Sequence, residues 1–153
     1  KMPWEFKFII IAIPLIVSIY FYILFPSMKE IFFHEKILQW RTYYYFLILL
    51  YPSIGLQGYI LTRKYGWFIL SHYLLTSTII FFFAGLYSLS EEEITLNKLL
   101  SYIAIISLNG VSLFIIQRRK ILQLFNINKD NKILFILINI VVIIINALIW
   151  ALS

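Results

Sequence analysis

His72 is the one side chain able to change charge near neutral pH that falls deep inside an apolar stretch of this chain. An ionisable group in such surroundings is a functional-site hypothesis by default, because embedding it is expensive unless something uses it. Three amides share its depth. Gln57 lies five residues before Thr62, His72 six after Gly66, Asn109 eight before Gln117 and Asn139 seven after Lys132, each counted from the basic end of its apolar stretch. At ~1.5 Å of helical rise per residue, these four fall in one layer roughly 8 to 12 Å deep. Ser71, Thr76 and Ser112 sit near the same level. Such a layer can do one of two things: bond helix to helix, or line a polar cavity that takes a proton or solute from the basic side. Gln57 and His72 stand about one and a half turns from the same tight connector, so they are expected to face each other across a hairpin.

Other chemistry finds less support. The second histidine, His34, falls in a connector on the opposite side, so two histidines and a carboxylate cannot converge on a metal within one chain. Cysteine is absent, which removes thiolate nucleophiles, disulfides and cysteine metal sites together. Ser71 is the only serine next to a histidine in sequence, and adjacent helical residues point about 100° apart. There is no glycine-rich phosphate loop. Ser90 followed by Glu91, Glu92 and Glu93 suits a helix start better than a calcium loop, whose ligands alternate around a glycine turn. The expectation is a non-enzyme with no cofactor and no metal.

The elements that must position the polar layer are five long apolar runs, about 6–25, 43–62, 67–87, 98–117 and 133–152. Each is near the ~20 residues that carry a helix across ~30 Å of hydrocarbon. The chain is 62% hydrophobic and 13% charged, against about 25% charged in a typical soluble domain. Continuous runs such as 133–138 and 140–145 fit helices rather than barrel strands, which alternate. The first run is longer than a signal-peptide core and lacks a small-residue cleavage site after it, so it reads as a retained span. Pro14 and Pro52 interrupt runs one and two and are expected to kink them, while Gly58 and Gly110, beside the polar residues, would let backbones approach closely.

Five crossings divide the basic residues unevenly. Lys1, Lys7, Arg63, Lys64, Arg118, Arg119, Lys120, Lys129 and Lys132 fall on one side, and Lys29, Lys36, Arg41 and Lys98 on the other. The positive-inside bias makes the first side cytoplasmic, with the N-terminus inside and the C-terminus outside. Between runs one and two, Ser27 with Glu30 forms a capping box, and the apolar and charged residues that follow to Trp40 suit an amphipathic helix lying in the interface. Arg118, Arg119 and Lys120, directly after run four, read as a contact for anionic lipid or a partner; so small a patch without a recognition fold does not suggest nucleic acid. Asn139 and Asn146 are one heptad apart, so both lie on one face of the last run, a face suited to packing on protein.

The sequence therefore predicts an all-α integral membrane protein, a single polytopic domain of five transmembrane helices with an interfacial amphipathic helix between the first two. Heavy use of Ile, Phe, Tyr, Lys and Asn fits an AT-rich genome, pointing to a bacterial or organellar inner membrane. The expected function is a non-enzymatic subunit or scaffold that meets lipids and packs against other membrane proteins or further copies of itself. The alternative is a transporter, channel or membrane-permeabilising oligomer built around His72. A small lipid-modifying enzyme comes third.

Overall fold

The computed structural model describes the backbone of residues 2–33, 40–90 and 96–152, and their side chains except at 23–33, 40–49, 84, 87–90, 98, 142–143 and 145–152. Every regular element among the described residues is helical: α1 (Trp4–Phe33), α2 (Trp40–Ile60), α3 (Lys64–Ser90), α4 (Leu96–Ile116), α5 (Arg119–Leu124) and α6 (Lys129–Leu152). Three helices are long and apolar enough to cross a membrane, over Trp4–Tyr22, Lys64–Phe83 and Leu99–Ile116. That is compatible with a membrane location, and it is fewer than the five runs expected. In α2 and α6 the described side chains cover only part of the helix.

The interfacial helix expected to open at Ser27 is not a separate element. α1 runs unbroken for 30 residues through Pro14 and Pro26 to Phe33. Proline's fixed φ is helical, so losing one backbone bond at Pro26 does not end a helix whose following residues, Met28, Lys29 and Glu30, are good helix formers. Ser27 therefore has no cap to make. At about 45 Å, α1 is longer than the ~30 Å of hydrocarbon. The rest of the expected amphipathic segment, 34–39, and the acidic cap at 91–93 lie outside the described residues.

α3 is the central helix, packed on α2 along one side and α4 along another, with α1 lying against both α2 and α4. Phe6, Ile9, Ile13, Ile16 and Tyr20 repeat at alternating steps of three and four, which gives α1 a single buried stripe. The α2–α3 link is short because α2 ends in a tight turn. Thr62 adopts a left-handed φ of 52°, Thr62 N–H donates to Tyr59 O and Arg63 N–H reaches back to Gly58 O at 2.8 Å. This is the Schellman pattern, with threonine where glycine is usual. Gly66 then meets the Gly58–Tyr59 backbone so closely that a Cβ there would stand 2.2 Å from it.

The basic connector after α4 folds back instead of lying free. α5 buries Ile121 and Leu122, and Phe125 completes the core. Asn126 ends α5 with the same left-handed φ of 52° and the same pair of bonds, Asn126 N–H to Gln123 O and Ile127 N–H to Leu122 O. Phe6, Tyr59 and Phe125 stack together, with Phe6–Tyr59 centroids at 4.8 Å and Tyr59–Phe125 at 4.7 Å. The start of α1, the α2–α3 turn and the α4–α5 junction thus share one end of the bundle.

Candidate functional site

His72 sits half-buried on the face of α3 that meets α6. Phe68 and His72, four residues apart, lie opposite Phe135 and Asn139, also four apart, so α3 and α6 run parallel in matching register. Asn139 donates through Nδ2 to the Phe135 carbonyl at 2.7 Å, which turns its Oδ1 toward His72 Nδ1 at 2.8 Å. An amide oxygen only accepts, so this orientation puts the ring proton on Nδ1. Tyr51 of α2 meets the imidazole edge-on, with centroids 5.9 Å apart.

Asn109 enters a different network. Its Nδ2 donates to Ser77 Oγ, which also bonds Tyr20 Oη, so one serine joins α1, α3 and α4 in the buried interior. Nearer the basic end, Gln117 Nε2 reaches Ser71 Oγ at 3.5 Å, and buried Trp67 donates through Nε1 to the Ile116 carbonyl at 3.1 Å. That carbonyl belongs to the last turn of α4, where backbone acceptors lack helical partners. Asn109 Oδ1, Ser112 Oγ and Tyr73 Oη are buried without a hydrogen-bond partner among the described residues.

Gln57 does not face His72. Its side chain is exposed and makes no hydrogen bond among the described residues, while its neighbours Gly58 and Tyr59 are buried. Equal distance from the turn gives equal depth but not equal azimuth. Two residues of helix separate Gln57 from buried Tyr59, and at 100° each they turn it to the opposite side. Gly110 likewise allows no close approach, since a Cβ there would meet nothing within 4 Å. Asn146 lies in α6, but its side chain is outside the described set.

Nothing local in the sequence singles out Glu5. Its carboxylate is buried at 3% exposure at the start of α1, with Oε1 3.5 Å from Arg118 Nη1 and 3.9 Å from Lys120 Nζ. Its other oxygen, and the nearby Tyr59 hydroxyl, are buried without partners among the described residues. Arg118 and Lys120 come from the cluster singled out in sequence; Arg119, between them, is exposed and makes no ion pair among the described residues.

Two grooves lie away from these networks. One groove of about 420 Å³ runs between α1 and α4 beside Ser18, Tyr22 and Ser101, and another of about 260 Å³ between α1 and α2 beside Pro14 and Ser53. Ser18 and Ser101 spend their hydroxyls on their own helices, donating to Pro14 O and Asn97 O. Neither groove includes His72, Asn109 or Asn139 in its lining. No group of three His, Asp or Glu among the described residues is placed to hold a metal ion. The arrangement joins helices and presents two cations at one end. Comparison with protein-family models, curated proteins and solved structures finds no match.

Proposed function

We propose that this chain is a non-enzymatic subunit or scaffold of a membrane assembly, crossing the bilayer five times with its N-terminus on the cytoplasmic side. The observation that carries this reading is how the embedded polar groups are used. His72 bonds Asn139, and Asn109 bonds the serine that Tyr20 also holds, so these groups join helices, and neither groove described above includes them. α6 adds support. Only Asn139 is fully buried among its described side chains, and Ile133, Leu134, Ile136, Leu137, Ile138, Ile140, Val141 and Ile144 are all exposed. A helix held by one polar pair and by Phe135 against Trp67 and Phe68, with most of its described circumference apolar and exposed, suits packing among other membrane helices. Gentle solubilisation followed by size-exclusion chromatography and mass spectrometry tests the reading: partners at fixed stoichiometry are expected, and a lone monomer would sink it.

The second reading, a transporter or channel, draws on Asn109 Oδ1, Ser112 Oγ and Tyr73 Oη, three buried polar atoms without partners among the described residues. Proton or solute flux in liposomes reconstituted with the pure protein decides between them, because a scaffold should leave the vesicles as tight as empty ones.

A further inference from the structure

The cluster 118–120 reads as three equivalent basic residues in sequence, and the structure divides it. Glu5 draws Arg118 and Lys120 toward one carboxylate oxygen from beneath, while Arg119 is exposed and makes no ion pair among the described residues. Arg118 is held further by two rings: its guanidinium carbon lies 6.0 Å from the Trp4 ring centroid and 5.8 Å from that of Phe114. Guanidinium groups favour such aromatic faces. Both cations nevertheless remain open, with the Arg118 side chain 45% and that of Lys120 70% exposed. Two like charges thus converge on a single buried anion with donors left over on their outer side.

We propose that Arg118 and Lys120, set in place by Glu5, form a binding site for the phosphate of an anionic phospholipid headgroup. The phosphate oxygens would accept from the free donors of both side chains, a geometry to which arginine's planar fork is suited. A lipid is favoured over a free phosphate by what flanks the guanidinium. Trp4 and Phe114 are 57% and 68% exposed, so the cation stands in an open apolar collar where acyl chains can lie below the bound phosphate. Glu5 acts as a positioning residue and does not touch the lipid. The proposal rests on the membrane reading, but not on the scaffold role.

The test measures binding of phosphatidylglycerol to the purified full chain in neutral detergent, by native mass spectrometry and by the lipid-dependent rise in melting temperature. Phosphatidylcholine and inorganic phosphate serve as controls. Lys120→Gln and Arg118→Gln are each expected to weaken phosphatidylglycerol binding roughly five-fold, the ordinary worth of one basic residue at an anionic surface. Arg119→Gln should change it little. Glu5→Gln separates the built site from diffuse attraction, because it makes the chain more positive and yet should weaken binding by releasing both cations. Tighter binding in Glu5→Gln, or equal losses in Arg119→Gln and Lys120→Gln, would overturn the proposal in favour of a diffuse field. Lys120→Gln against Arg119→Gln remains decisive if Glu5→Gln fails to fold, since both change exposed side chains. Equal stabilisation by inorganic phosphate would overturn the lipid assignment. No preference for phosphatidylglycerol over phosphatidylcholine would overturn the site itself, whatever the number of subunits in the assembly.

Discussion

His72 and Asn139 show what an embedded polar pair needs in order to persist. Asn139 is oriented by its bond to the Phe135 carbonyl, and that orientation fixes which imidazole nitrogen faces it with a proton. His72→Leu removes the donor and leaves Asn139 Oδ1 unpaired, so a loss of ~1 kcal/mol is expected in equilibrium unfolding from mixed micelles. His72→Gln keeps a donor and should fall within about 0.5 kcal/mol of the parent. A double-mutant cycle with Asn139→Leu should give a coupling of ~0.6 to 1.7 kcal/mol; zero coupling would mean that the pair does not hold α6. Thr62 poses the opposite case, a β-branched residue where the backbone needs φ of 52°. Thr62→Gly should raise stability by ~1 kcal/mol by removing the left-handed penalty, whereas a neutral or lower value would count against that conformation. That His72 and Asn139 lie level was legible from counting along the chain, but Asn109 does not share their level: it meets Ser77, five residues beyond His72 on α3. The direction of Gln57 was not legible, because the apolar residues around it mark no face, and azimuth is what pairing requires.

The helices owe their packing to different features of their sequences, and glycines at similar-looking positions have unlike roles. In hydrocarbon the burial of apolar side chains supplies little drive for helices to associate, so close fit and interhelical bonds must do so. At Gly66 α3 lies hard against α2, the place of the missing Cβ occupied by the Gly58–Tyr59 backbone. Gly66→Ala therefore forces the two helices apart and should cost ~1 to 3 kcal/mol, the usual range for overpacking, with backbone leaving little room to relax. Gly110→Ala meets open space within α4 and should be neutral or stabilising by up to ~1 kcal/mol, through helix propensity alone. Thermal melts in one detergent suffice, and equal losses in the two variants would contradict the packing described. The apolar runs announced helices plainly. They did not announce that α1 would continue past Pro26, since a proline reads equally as a stop and as a helical residue with one bond missing. Nor did they announce that the basic connector would fold into α5, with Ile121 and Leu122 buried and Phe125 against Phe6 and Tyr59, partners too distant in sequence for any local signal.

At the scale of the whole molecule, contacts bring segments distant in sequence to one end of the bundle. Glu5 meets Arg118 across 113 positions of sequence, Phe6 stacks with Tyr59 and Phe125, and α3 and α6 both leave from this end in parallel. Lys7, Arg63, Lys64, Arg118, Arg119, Lys120 and Lys129 therefore gather on a single face of the bundle. Counting basic residues in the connectors assigns these same seven to the side expected to be cytoplasmic. The count could not reveal that one carboxylate, Glu5, is buried beneath this face, since a lone acid in a first helical turn looks like an ordinary dipole partner. The expected topology places residues 64, 118 and 129 on the cytoplasmic side and residue 92 on the other. The chain has no cysteine, so single cysteines introduced at these positions report without background. With a membrane-impermeant maleimide on sealed, right-side-out vesicles, position 92 should label at once, and positions 64 and 129 only after permeabilisation. Labelling of 64 and 92 from the same side would break the arrangement at α3, the central helix, and with it the five-crossing reading. Labelling of 64 and 129 from opposite sides would instead contradict the shared end that Glu5, Arg118 and the Phe6–Tyr59–Phe125 stack define.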